Sequence, residues 1–383
     1  MERVIVRRPP GRRERAVAAA VGQFHRRGYH RVSMAEVAAE VGITAPALYR
    51  HFRGKPELLR CALEAELAAL AQSVEAGAAG PAELCAALAA AAVDHRALGT
   101  LWQRDARLLP PGQRAVLRRE LRALVGRMAQ IVEGPGAVGA EFRCWSVLSV
   151  YGSLSHHTFA PPRRRFEQLL RELGGALLAA DPAPAPTVVR PLAPPSALAG
   201  SRREELLVAA VRLFDRRGFD NVSTEQLGAA VGIAGPSVYK HFATKAELLA
   251  AALVRSRERL WHEVGGALAL AQAPGPGAAL AAGLAAYLDF ARRNGHYLGA
   301  MLSETERLAP ADRKAAVDFR RDFLRTWVGL LQQVRPAYDQ AEARIRVHAM
   351  FALVNDGVRH RPYGAGAEPA PGLEALSRAA LGL

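Results

Sequence analysis

Three things are scarce in this 383-residue chain, and each scarcity closes off a class of protein. Cysteine occurs three times, at Cys61, Cys85 and Cys144. An odd number spread so widely makes no disulfide framework, and no two stand at metal-ligand spacing, so a reducing, intracellular compartment is expected. Aromatic residues amount to 6%, and no run of alternating apolar and polar residues persists, which leaves little to build a sheet from. The longest uncharged stretches are too short and too rich in alanine to span a bilayer. The N-terminus has Arg3, Arg7 and Arg8 before Pro9 and Pro10, without the apolar core of a secretory leader. No Walker loop, nucleophile elbow or zincin motif occurs. Carboxylate clusters such as Glu304 with Glu306, or Glu204 with Glu205, read as solvated faces or first-turn residues. The expectation is a cytoplasmic protein that is no enzyme, holds no metal or cofactor and has no membrane partner.

What is abundant is alanine, leucine and arginine, with half the residues hydrophobic. That mix favours helices, and the length allows two domains with cores of their own. The formal charge of +15 suits a polyanion, nucleic acid before a membrane surface, although base bias in a genome also enriches arginine and alanine.

Self-similarity decides the architecture. Shifted by 190 residues, segment 24–59 falls on 214–249 without a gap, and 18 of 36 positions are identical. Between the copies, 181–200 holds six prolines. Such density favours an extended, semi-stiff spacer with a reach of about 60 Å at roughly 3.1 Å per residue. A weaker echo, 104–114 against 304–314, places a similar body after each repeated head.

Each head reads as three helices. Val17, Ala20, Val21 and Phe24 in one copy, and Leu207, Ala210, Val211 and Phe214 in the other, make one buried stripe apiece. Gly28 and Gly218 stop those helices. Ser33 with Glu36, and Ser223 with Gln226, form capping boxes that open a second helix. Gly42 and Gly232 end it after barely two turns. A third helix is expected over 46–52 and 236–242, with Pro46 and Pro236 in the first turn, where an amide has no intrahelical partner anyway. Two short helices about a glycine turn form the motif that lays its second helix in the major groove.

The segments "VSMAEVAAEVGITAPALYRHFRGKPELL" and "VSTEQLGAAVGIAGPSVYKHFATKAELL" resemble the DNA-binding signature of the tetracycline-repressor (TetR/AcrR) family of transcriptional regulators. The resemblance covers both heads closely and both bodies in helical character alone. It implies an all-α fold: two helix-turn-helix heads, each followed by a helical regulatory bundle, joined as an intrachain pseudo-dimer. Expected boundaries are a basic disordered arm at 1–11, heads at 12–60 and 201–249, bodies at 61–180 and 250–383, and the linker at 181–200. The implied partners are a double-stranded DNA operator and a small-molecule effector; further oligomerisation stays open.

Carried over position by position, the DNA contacts are Ser33, Met34, Thr44, Ala45, Pro46, Ala47, Tyr49, Arg50, His51 and Lys55. Their counterparts are Ser223, Thr224, Ala234, Gly235, Pro236, Ser237, Tyr239, Lys240, His241 and Lys245. Tyrosine and histidine suit phosphate oxygens, since each offers a donor without a flexible charged stem. Ser33 and Ser223 either join them or act only as caps. Arg50 can pair in bidentate fashion with guanine O6 and N7, and its counterpart is Lys240. Unequal half-sites in an imperfect inverted repeat are therefore expected. Residues 1–60 carry net charge +8 against +1 for 200–250, much of the difference in an arm that either tracks phosphate or is a solvated tail.

In the bodies, helices near 141–156 and 165–179 are expected to pair with 342–359 and 372–383 in a four-helix interface. Trp102, Trp145 and Tyr151, with Tyr297, Trp327 and Phe351, are the candidates for lining effector pockets. His156 and His157 face different ways on a helix and make no metal pair. A repressor released by its effector is the expected role. An activator, an architectural binder, or a regulator with one silent head would use the same motif.

Overall fold

The computed structural model describes residues 11–133, 139–181, 201–359 and 372–383. The arm with Arg3, Arg7 and Arg8, and linker residues 182–200, lie outside them. Among the described residues there are helices and no strand, and no single helix is long and apolar enough to cross a membrane.

The first half runs α1 Arg12–Arg27, α2 Met34–Glu40, α3 Ala45–Tyr49, α4 Lys55–Ala76, α5 Pro81–Asp94, α6 Ala97–Thr100, α7 Pro111–Glu133, α8 Ala140–Gly152 and α9 Arg163–Ala179. The second half has α10 Arg202–Arg217, α11 Thr224–Ala229, α12 Lys245–Leu260, α13 Gly266–Leu270, α14 Pro276–Glu304, α15 Pro310–Val334, α16 Gln340–Arg359 and α17 Leu373–Leu381. In place of a counterpart to α3, Gly235–Lys240 winds as a 3-10 helix.

Local chemistry explains the heads. The α1 stripe buries Val17, Ala20 and Phe24, and α10 buries Leu207, Ala210, Val211 and Phe214. A fully buried Phe or Leu contributes roughly 1.5–3 kcal/mol relative to exposure, so these few side chains hold each head together. Both capping boxes form: the Glu36 amide donates to Ser33 Oγ at 3.2 Å while the Ser33 amide donates to the Glu36 carboxylate at 2.7 Å, and Ser223 with Gln226 repeats this at 3.2 and 3.1 Å. Gly42 and Gly232 turn the chain at φ 70° and 73°, a conformation that costs a side-chain-bearing residue about 1–2 kcal/mol.

The bodies are bundles that meet along four helices. α8 packs on α9 within the first half and α16 on α17 within the second, and across the halves α8 meets α16 and α9 meets α17. The four helices that form this seam carry buried leucines and valines, among them Leu169, Leu173, Val347, Val354 and Leu376. Polar groups set its register. Arg165 donates to Glu342 at 2.8 Å, and the His157 and His348 rings lie 4.6 Å apart. The two halves thus share one four-helix contact.

Candidate nucleic-acid interface

The segment after each glycine turn carries the most exposed aromatic residue of its head. Tyr49 is 53% exposed and Tyr239 52%, although both stand one residue from a fully buried side chain, Leu48 or Val238. Helical geometry explains the contrast: Leu48 and Phe52, four apart, face the core, which turns Tyr49, Arg50 and His51 outward. In the second head Tyr239 and Lys240 are exposed and His241 half-buried. Thr44, Pro46, Ala234 and Pro236 are exposed as well, with Ala45, Ala47 and Ser237 half-buried beside them. Each head thus presents one face holding a phenol, a cation and an imidazole.

Several expected contacts sit elsewhere. Met34 is 6% exposed and belongs to the core of its head, because the first residue of α2 turns its long apolar side chain under α1 rather than outward. Gly235 is buried: a Cβ there would lie 3.1 Å from the backbone of Glu225, so it is a point of close approach and not a contact surface. Ser33 and Ser223 are exposed but engaged as caps, and Thr224 is half-buried. Lys55 and Lys245 turn inward. Lys245 Nζ donates to the carbonyls of Phe219 and Val222 at 2.9 Å each and sits 4.3 Å over the Phe219 ring. Lys55 Nζ lies 4.3 Å over Tyr29 and 3.4 Å from the His30 carbonyl. Burial lowers the pKa of both. These ammoniums staple α4 and α12 to the preceding turn.

Two cavities lie in the bodies, each of about 130 Å³. Trp102, Trp145 and Tyr151 all line the first, together with Glu66, His95, Arg96 and residues of α16 such as Asp356. The second is lined by Phe351 but not by Tyr297 or Trp327. Trp327 is fully buried, its ring held by Tyr287, Phe323 and Phe351 at 6.2, 6.2 and 5.2 Å. Tyr297 is buried elsewhere, its ring tilted against His296 at 4.5 Å and beneath Arg259. The side chains that do face the second cavity include Ala316, Phe319, Arg320 and Phe323. Their i, i+3, i+4, i+7 spacing is one helical stripe and was a readable signal. Among the described residues no group of His, Cys, Asp or Glu could hold a metal ion.

Segments 16–61 and 206–252 each match the model for bacterial regulatory proteins of the tetR family. Both heads are thus DNA-binding domains of the tetR type, carried in tandem on one chain. Solved structures similar to it include a TetR-family transcriptional regulator from Bordetella parapertussis 12822, at 18% identity over 46% of this chain and 93% of that one, TM-score 0.41. The ketosteroid transcriptional regulator KstR2 of Mycobacterium tuberculosis is 24% identical over 48% and 95%, TM-score 0.42. AibR, solved with isovaleryl coenzyme A and operator DNA, is 16% identical over 45% and 94%, TM-score 0.40. No curated protein matches by sequence.

The two heads touch each other. His30 Nδ1 lies 2.8 Å from Asp220, and the two are matched positions of the repeat. Contact between matched positions marks the pseudo-twofold axis. A symmetric dimer would set like against like there; the fused chain sets imidazole against carboxylate. Burial first, then Arg307, Lys55, Arg107 and Arg104, push the His30 pKa down to about 4. His30 is therefore neutral near pH 7, and the ionic partner of Asp220 is Arg307.

One short stretch of the first body reaches both heads and both cavities. Arg104 donates to the carbonyl of Phe24 at 2.7 Å, in the last turn of α1. Arg107 donates to the carbonyl of Phe214 at 2.9 Å, the matched place on α10, and pairs with the buried Glu304. Arginine at a helix C-terminus satisfies free carbonyls and complements the dipole. Next to Arg104, Gln103 lines both cavities, bridging Asp356 and His156 at 2.9 Å each. Nothing in the spacing of this stretch signalled its position at the centre of the molecule.

Proposed function

We propose that this regulator is a repressor that grips an imperfect inverted repeat with two unequal heads and lets go when a small molecule enters a body. The observation that carries the reading is the pair of outward faces, Tyr49-Arg50-His51 and Tyr239-Lys240-His241, on heads joined across one axis. Tyrosine and histidine take phosphate and fix register; Arg50 and Lys240 read bases, and as arginine and lysine they prefer different partners. Ala47 against Ser237 adds to the inequality.

Half-sites roughly one helical turn apart demand a fixed head separation. Arg104 and Arg107 tie that separation to the stretch beside the cavities. A ligand that favours another setting of that stretch weakens the grip by its difference in affinity for the two settings. The protein acts by binding rather than turnover, and its place of work is the nucleoid in the cytoplasm. Selection of bound sequences from random duplex DNA with the full chain tests the first part. A perfect palindrome with interchangeable half-sites, or no selection at modest ionic strength, would refute it. Operator affinity indifferent to every small molecule that binds the bodies would refute the second.

A further inference from the structure

The two cavities match in size but not in charge. The first is lined by two carboxylates, Glu66 and Asp356, and one guanidinium, Arg96. Glu66 is buried, one oxygen 3.3 Å from His95 and the other without a hydrogen-bond partner. Arg96 is already engaged with the Phe159 carbonyl at 2.9 Å. The second cavity has no carboxylate on its wall and two guanidiniums, Arg257 and Arg320.

Neither of these arginines makes an ion pair among the described residues. Arg257 keeps Nη1 buried without a partner. Arg320, on the same wall, is exposed at the surface of α15 and makes no ion pair there. The carboxylates nearest in effect stand farther off: Glu306 for Arg320, and Asp312 and Glu258 for Arg257. Glu306 is itself shared between Arg31 and Arg313. His156 and His348 on the same wall are held neutral by burial, so they neither cancel the charge nor add to it. The buried, unpartnered Nη1 of Arg257 carries a desolvation cost that an anion can offset, and Arg320 adds a second positive charge to the same wall.

The rest of the wall is apolar. Phe319, Phe323 and Phe351 stand together, with ring centroids 5.9 Å apart for the first pair and 5.5 Å for the second. About 130 Å³ is the scale of a cavity that takes one benzene ring. We infer that the second cavity is a site for a small organic acid, its ring-sized apolar body on Phe319, Phe323 and Phe351 and its carboxylate drawn to Arg257 and Arg320. The first cavity, with its opposite charge balance, rejects the same ligand. The inference rests on the effector reading for its regulatory meaning, and on the cavity alone for its chemistry.

Calorimetric titration of the full chain with phenylacetate and with its neutral isostere phenylacetamide tests it. The acid binds at one site and the amide at least about tenfold more weakly, since a charge-assisted hydrogen bond is worth more than 1.4 kcal/mol when buried. Arg320→Gln and Arg257→Gln each weaken the acid about tenfold or more and leave the amide where it was, whereas Arg320→Lys, which keeps the charge and the fold, restores most of the loss. Unfolding midpoints equal to the parent's show that the variants are folded. Equal binding of acid and amide, no heat from the acid up to about 10 mM, or acid binding untouched by both glutamines overturns the proposal. The same titrations on the DNA-bound chain separate the two readings. Acid that binds without releasing DNA sinks the effector role and leaves the site standing; DNA binding intact with no acid site does the reverse.

Discussion

In the first head Thr44 offers its hydroxyl to the amide of Ala47 at 3.4 Å, and α3 forms as a short α-helix. In the second head the matched residue is Ala234, which has no oxygen to offer, and the next is Gly235, a poor helix former. Gly235–Lys240 winds tighter, as a 3-10 helix, and lies close on α11. Gly228 makes room for it: a Cβ there would meet the Ile233 carbonyl oxygen at 2.6 Å, whereas the first head accommodates Ala38 at that place. Tyr49 and Tyr239 nevertheless emerge equally exposed. One outward face can be carried on two backbones, provided that the core residues behind it, Leu48 with Phe52 and Val238 with Phe242, keep their spacing.

Experiments on matched positions can break or sharpen that comparison. The largest effect is expected from the tyrosines. Tyr49→Ala and Tyr239→Ala, measured separately by operator titration, should each cost about 10–100-fold in affinity, the worth of a hydrogen bond to a charged phosphate. Loss from one alone would mean that a single head reads DNA. Next comes Gly228→Ala, whose new methyl group has only backbone to push against. A loss of roughly 1–3 kcal/mol in stability is expected, against about 1 kcal/mol for Ala38→Gly in the first head; equal losses from both would deny the tighter approach. Exchanging the caps should act in opposite directions: Thr44→Ala lowers the stability of its head by about 1 kcal/mol, and Ala234→Thr raises that of the other by less, readable by hydrogen exchange of the two turns.

A pH-dependent effect concerns the axis. The folded pKa of His30 lies near 4, below the 6.5 of the unfolded chain. Between those values the unfolded state binds the extra proton, so stability falls as pH drops from about 6.5 toward 4. His30→Gln should flatten part of that slope in urea unfolding. An unchanged slope would mean that the head junction takes no part in it.

How much of this was legible beforehand depended on whether the signal was local. The stripe of α1, the serine capping boxes and the glycine turns need only neighbours three or four residues away, and they stand as read. Met34 did not, because whether the first residue of a short helix faces out or in depends on α1 passing over it. Lys55 and Lys245 open α4 and α12, but the carbonyls that hold them belong to a turn more than twenty residues upstream. Trp327 was offered as a pocket wall and is core, since large aromatic side chains fill bundles as readily as they line cavities. Phe319 and Arg320 were missed for the complementary reason: half-exposed or exposed side chains on α15 look solvated until α14 and α16 close a chamber over them.

By itself the order of residues determined a duplicated three-helix head, the turn that ends each second helix, and two heads of unequal charge, because those properties rest on spacing and on the repeat. Only the tertiary structure decided that His30 faces Asp220, that one stretch around Gln103 serves both cavities and both heads, and that the cavities differ in sign. Each of these joins residues from helices remote in the chain, and such meetings are settled by how apolar faces pack, which no local pattern records.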